Sequence, residues 1–197
     1  MACHENFNPM RANVVAVLQA VHQVALSLWL GGGIAIGAIA APAVFGAARR
    51  AGDTEWGQPL YTFAGTALGD AFQRLNVLCL IACAIALVTG VAYGCLAGLS
   101  PHRLGWRTAL VLAAGIVAAW LTVGLYPAML SARESGDMVR FDAMHRQYST
   151  AFQLQALLLF ASMVVTGRMH LDHLRPEASA LPRRAGVGDL DPIGNRG

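Results

Sequence analysis

The run "LNVLCLIACAIALVTGVAYGCLAGL" at residues 75–99 carries no charged side chain, and Asn76, Thr89 and Tyr93 are its main polar groups. At 1.5 Å rise per residue, about 20 such residues cross the hydrocarbon core of a bilayer as a helix. Three further runs, residues 14–40, 106–130 and 148–167, meet the same length requirement. In hydrocarbon the backbone must satisfy its own hydrogen bonds, and continuous apolar runs of this length do so as helices. The expected fold is therefore all-α: a polytopic membrane protein built as a four-transmembrane-helix bundle. Composition agrees. Hydrophobic residues make up 56% of the 197, and charged residues 13%, against about 25% charged in ordinary soluble domains.

The chain divides into an N-terminal tail (1–13), a transmembrane domain (14–170) and a C-terminal tail (171–197). The C-terminal tail is expected to be disordered, because Pro and Gly recur in it and no apolar period does. The first apolar run is too long for a secretory signal core and reads as a retained helix. An even number of spans puts both termini on one side. Tyr93 and Trp106 then lie near that membrane surface, and Tyr126 and Tyr148 near the other, as interfacial aromatics do. Arg near the membrane ends is almost evenly split between the sides, and the reading places both termini in the cytoplasm. All fourteen basic residues are Arg. With the Ala and Gly richness this points to a GC-rich bacterial gene, and so to the inner membrane. A net charge of +3, scattered along the chain, gives no nucleic-acid surface.

Connection lengths order the helices. "LSPHRLGW" is a tight turn, which makes the second and third helices antiparallel neighbours. Pro59 suits a first helical turn, and nothing interrupts the chain from there to the second span. Ser135 or Asp137 can cap a fourth helix that starts outside the bilayer. Helices 2 and 4 are thus expected to extend beyond the membrane on the side opposite the termini. In "FDAMHRQYST" the residues Phe141, His145 and Tyr148 share one face with Phe152, expected to lie against the extension of helix 2. Ala82, Ala86, Gly90, Gly94 and Gly98 recur every four residues, as do Gly33, Gly37 and Ala41. Such grooves supply close van der Waals contact between helices in lipid. Packing inside the bundle is the expected use, with a second copy or another membrane protein as the alternative.

Function in such a chain hides among intramembrane polar groups. Gln19, His22, Gln23 and Ser27 form a stripe on the first helix; Asn76, Tyr126, His145, Tyr148, Gln153 and Gln155, with Arg74, gather toward the opposite half. From these, His22, Gln23, Asn76, Tyr126, His145, Tyr148 and Gln153 are the candidate polar pocket, with hydrogen-bonded packing as the competing reading. No catalytic, cofactor-binding or metal site is assigned and no cofactor is expected. His22 and His145 stand about 20 Å or more apart along the bundle and cannot share a haem iron. Cys79 and Cys83, at i and i+4 with Met163 as a further sulfur, could hold a soft metal, but buried Cys is also apolar filler. No phosphate loop, nucleophile triad or carboxylate pair is present, and Asp and Glu are absent from the four runs.

The order of "LQAVHQVALSLWLGGGIAIGAIAAPAVF", "FQRLN", "LYPAML" and "FDAMHRQYS" resembles the transmembrane protein 205-like family of four-helix membrane proteins, over residues 14–170. By position, Pro42, Phe45, Asn76, Tyr126, Pro127, Phe141 and His145 carry that pattern. The resemblance implies a multi-pass membrane location and no established enzyme activity. A narrower likeness, confined to the His and Trp-Leu-Gly-Gly pattern of the first helix, is to the copper-resistance D membrane family, whose repeated His and Met ligands this chain lacks. The expected function is a non-enzymatic binding or assembly component of the membrane, in contact with the lipid bilayer. The alternative is small-solute or copper-like metal transport or handling through the intramembrane polar residues.

Overall fold

The computed structural model describes residues 9–179, which form long helices joined by short turns, with no strand among them. The first span is α1 (Pro9–Ile34) and α2 (Ala41–Arg50), joined without a break by a π-helical segment, Ala35–Ala40. The second is α3 (Pro59–Ala97). The third is α4 (Pro101–Ala119), a π segment Trp120–Leu125, and α5 (Tyr126–Glu134). The fourth is α6 (Met138–Ser179). All four are long and apolar enough to cross a membrane. They run up, down, up and down, so the turns at 51–58 and 135–137 share one end, here the loop end. The turn at 98–100 lies at the other, the terminal end.

Proline explains the two π segments. A proline inside a helix lacks an N–H, and its ring clashes with the carbonyl four residues back. Just before Pro42 and Pro127 the hydrogen bonding widens, with Ala41 N–H donating to Ile36 O and Tyr126 N–H to Leu121 O, five residues back. The helix passes each proline instead of stopping at it. The first and third spans therefore reach Arg50 and Glu134, so they project at the loop end together with the second and fourth. Helix ends follow known caps. Pro59 and Pro101 occupy first turns, and Gly98 closes α3 in the left-handed region at φ 67°. Of the two candidate caps for α6, Asp137 is the one used: its Oδ1 accepts the Arg140 N–H at 3.0 Å.

Helix runs into both expected tails. α1 starts at Pro9 rather than at 14, and α6 continues through residues 171–179. The disordered-tail expectation for 180–197 lies outside the described residues.

The bundle is apolar outside as well as through most of its core, with a few polar side chains buried between the spans. Val14, Val17, Val21, Val24 and Leu28 form an exposed stripe on α1, and Val77, Leu78, Ile81, Ile85 and Val88 do the same on α3. A stripe of this kind is suited to lipid rather than water. The core between the spans joins Ala25, Leu26, Trp29, Cys79, Cys83, Ala86, Val111, Ala114, Ala118 and Leu159.

The small-residue grooves are filled from within. A Cβ on Gly94 would stand 2.5 Å from Leu104 Cδ1, and one on Gly33 2.5 Å from Phe152 Cζ. Cys83 Sγ occupies the space beside Gly115. Of the two uses the sequence allowed, packing within the bundle is the one these glycines serve.

Candidate functional site

Polar side chains gather at two depths. In the terminal half, His22 of α1 is fully buried (0% exposed) and donates from Nδ1 to the Ala86 carbonyl of α3 at 2.8 Å. A carbonyl only accepts, so the hydrogen sits on Nδ1 and Nε2 is left without a partner among the described residues. Arg107 of α4 is 1% exposed. Its Nη2 donates to Gln19 Oε1 at 3.0 Å, and its guanidinium lies 4.6 Å from the Tyr93 ring centroid. Arg107 Nε and Nη1 have no hydrogen-bond partner among the described residues. His22 and Arg107 meet across Gly90, where a Cβ would stand 3.2 Å from His22 Nδ1 and 3.8 Å from Arg107 Nε. Ser162 and Thr166 of α6 are buried with unpartnered hydroxyls. They lie one and two turns toward the terminal end from Leu159, which packs in the same cluster as Ala25, Leu26 and Val111. Three spans, α1, α3 and α4, thus meet in one buried polar layer.

The second layer lies toward the loop end. Tyr148 OH donates to Asn76 Oδ1 at 3.0 Å, with both residues buried, and Tyr126 OH donates to the Gly69 carbonyl at 3.0 Å. Gln155, also buried, lies near Cys79. Phe72 takes Tyr148 and Phe152 edge-on, at 6.0 Å and 6.2 Å between ring centroids. Asn76 and Ala86 are ten residues apart on one straight helix, so about 15 Å separates the two layers.

At the loop end itself Trp56, in the turn between α2 and α3, lies over Gly65. It packs 6.1 Å from Phe141, edge-on to Tyr61 at 6.4 Å, and 5.6 Å from the Arg133 guanidinium.

The seven candidate pocket residues therefore do not form one pocket. His22 belongs to the terminal layer; Asn76, Tyr126 and Tyr148 belong to the loop-end layer. Gln23 is half-buried on α1. Gln153 is exposed, because Gln155, two residues on and about 200° around the helix, is the glutamine that turns inward. His145 is also exposed and stacks on Phe141 at 5.9 Å. Phe141 itself meets Trp56 of the turn, while Tyr148 and Phe152 are the residues of that face that reach α3. The sequence reading missed Arg107, counted among the loop arginines, and Trp56. A signal for Arg107 was present: Arg107, Val111, Ala114 and Ala118 fall at i, i+4, i+7 and i+11, one inward stripe of α4.

Among the described residues no group of three or more His, Cys, Asp or Glu is placed to hold a metal. Cys79 and Cys83 are free, buried thiols in the core.

A family model for a domain of unknown function, DUF4149, matches residues 24–137. The chain belongs to the DUF4149 family. No curated protein and no solved structure matches it. The DUF4149 stretch holds Tyr93, Arg107, Asn76 and Tyr126, covers the second and third spans, and ends at Asp137, the cap of α6. Gln19 and His22 lie just before it, and Tyr148, Ser162 and Thr166 after it. Each polar layer thus joins residues of the DUF4149 stretch to residues outside it.

Proposed function

We propose that this DUF4149 protein is a non-enzymatic binding or assembly component of the cell membrane, with lipid covering its outer apolar stripes and both termini in the cytoplasm. The transmembrane protein 205-like resemblance is part of the same reading. The observation that carries it is the use made of the intramembrane polar groups. The His22 bond to Ala86, Arg107 to Gln19, Tyr148 to Asn76 and Tyr126 to Gly69 each join different spans, and interhelical hydrogen bonds of this kind hold a membrane bundle together. Among the described residues the donor set gives metal handling no support.

The test is purification of the full chain in nanodiscs, followed by elemental analysis, visible absorption and thermal unfolding. The expected protein carries no stoichiometric metal and no haem band, and Tyr148→Phe unfolds at lower temperature because Asn76 Oδ1 loses its buried donor. A stoichiometric metal or haem that disappears in His22→Gln would overturn the reading in favour of a cofactor protein.

A further inference from the structure

A groove of about 570 Å³ runs along the outside of the bundle where the third and fourth spans meet. That volume falls within the range of small-molecule sites, about 300 to 1,000 Å³. α6 lines it with one face, since Ala143, Arg146, Gln147, Thr150, Ala151 and Leu154 fall at i, i+3, i+4, i+7, i+8 and i+11. Trp120 forms the wall on the third span. It stands fourteen residues before Glu134 at the end of α5, and Ala151 stands thirteen after Met138 at the start of α6. The antiparallel spans therefore bring the two to one depth. The indole lies over Gly124, where a Cβ would stand 3.1 Å from Trp120 Cδ1 and 3.5 Å from Nε1. Its N–H edge is thereby turned toward the loop end.

Depth decides what the groove faces. Residues 147–167 of α6 carry no charged side chain, and Arg146 and Arg168 bracket them. At 1.5 Å rise per residue the two arginines stand about 33 Å apart, close to the thickness of the hydrocarbon core. Arg146 thus marks the loop-end interface, and Leu154, eight residues on, lies about 12 Å deeper. Trp120 and Ala151 come between them, near the depth that tryptophan favours. The groove is polar at the interface, where Arg146, Gln147 and Thr150 are exposed, and apolar beneath it. Its lining holds one cation and no acidic residue; Asp142, one turn nearer the loop end, does not line it. An occupant that complements both parts carries an anionic group at the interface and a hydrocarbon chain below. A partner helix would have to bring an acid to Arg146, whereas an anionic phospholipid supplies phosphate and chain in one molecule.

We propose that this groove binds an anionic phospholipid: the Arg146 guanidinium donates to the phosphate, and one acyl chain lies along Trp120, Ala151 and Leu154. This site goes beyond the proposed assembly role and does not depend on it.

The test uses the full chain in nanodiscs of phosphatidylcholine with a minor fraction of phosphatidylglycerol, bromine being carried on the acyl chains of one lipid or the other. Bromine quenches tryptophan fluorescence on contact, and the difference between wild type and Trp120→Phe isolates the Trp120 signal. Per molecule, phosphatidylglycerol is expected to quench Trp120 about fivefold more than phosphatidylcholine. Arg146→Gln should remove that preference, and Arg146→Lys should keep part of it, since Lys retains the charge but loses the forked donors. Arg140→Gln, which changes an exposed arginine outside the groove, should leave it intact. Equal quenching by both lipids in the wild type would overturn the site in favour of ordinary boundary lipid. An equal loss in Arg140→Gln and Arg146→Gln would overturn it in favour of a general attraction to the loop-end surface. Quenching by neither lipid would mean that protein, such as a second copy of the chain, covers the groove, and would overturn it as well. Should Arg146→Gln fail to fold, the wild type is read in about 1 M salt, where the screening length is about 3 Å; the preference should fall, and an unchanged preference would overturn the role of Arg146. None of these results touches the metal and haem measurements on which the assembly reading stands.

Discussion

Gly94 and Cys79 show how single residues carry the packing. Gly94→Leu places a branched side chain where even a Cβ would stand 2.5 Å from Leu104. Overpacking of this kind costs at least about 1 to 3 kcal/mol, and here the obstruction lies between two spans joined by a tight turn. Cys79→Ala removes one buried sulfur and should be the milder change, about 1 to 2 kcal/mol. Thermal unfolding of both variants in nanodiscs ranks them, and an equal or larger loss in the cysteine variant would reverse this assignment. The groove that holds Gly94 was legible in the sequence because its spacing of four is a helix property. His22 stood out because a histidine amid apolar residues is conspicuous. Arg107 was hidden for the opposite reason: four residues after "PHR", it looks like one more basic group flanking the membrane. Only the register of α4, with Trp106 outward and Arg107 inward, separates the two meanings.

At the scale of elements, the span count and the α6 cap were readable, and the ends of the first and third spans were not. Pro42 looks like a stop by local propensity, but a π turn before it, as before Pro127, absorbs the missing donor, a tertiary accommodation that composition does not encode. The segment "FDAMHRQYST" resolves along the same lines. Its face was read correctly, while its partners required the turn to be placed: Trp56 folds over Gly65 and meets Phe141 before α3 can. Phe141→Ala removes a half-buried ring from this aromatic cap. A fully buried Phe would lose about 3 to 5 kcal/mol, so a smaller loss is expected, together with faster proteolysis of the 51–58 turn. His145→Ala removes only an exposed stacking partner and should change stability by about 1 kcal/mol or less. A His145→Ala loss exceeding that of Phe141→Ala would mean that His145 makes a contact the stacked geometry does not show.

The whole molecule is organised by the exchange of water for lipid. Apolar side chains line the outside as well as most of the core, and several charged and amide groups within the spans, Arg107, Gln19 and Asn76 among them, turn inward to make bonds across helices. That arrangement works only if each apolar stripe lies within the hydrocarbon, which fixes how often the chain crosses. Four crossings put Gly98 and the end of α6 on one side, and Gly52 and Gly136 on the other. Reporter fusions inserted after Gly52 and Gly136 should therefore agree with each other, and should differ from fusions after Gly98 and at the C-terminus. The three inserted points are glycines of positive φ in turns, where inserted chain disturbs the least packing. Arg11 adds an internal check on the terminal end, since its side chain donates to the Leu96 carbonyl at 2.7 Å and so holds the start of α1 beside the end of α3. A fusion after Gly136 that reports the same side as the C-terminus would mean that α6 does not cross. Tyr148 could not then meet Asn76 inside the bundle, and the loop-end layer would have to be abandoned with the topology.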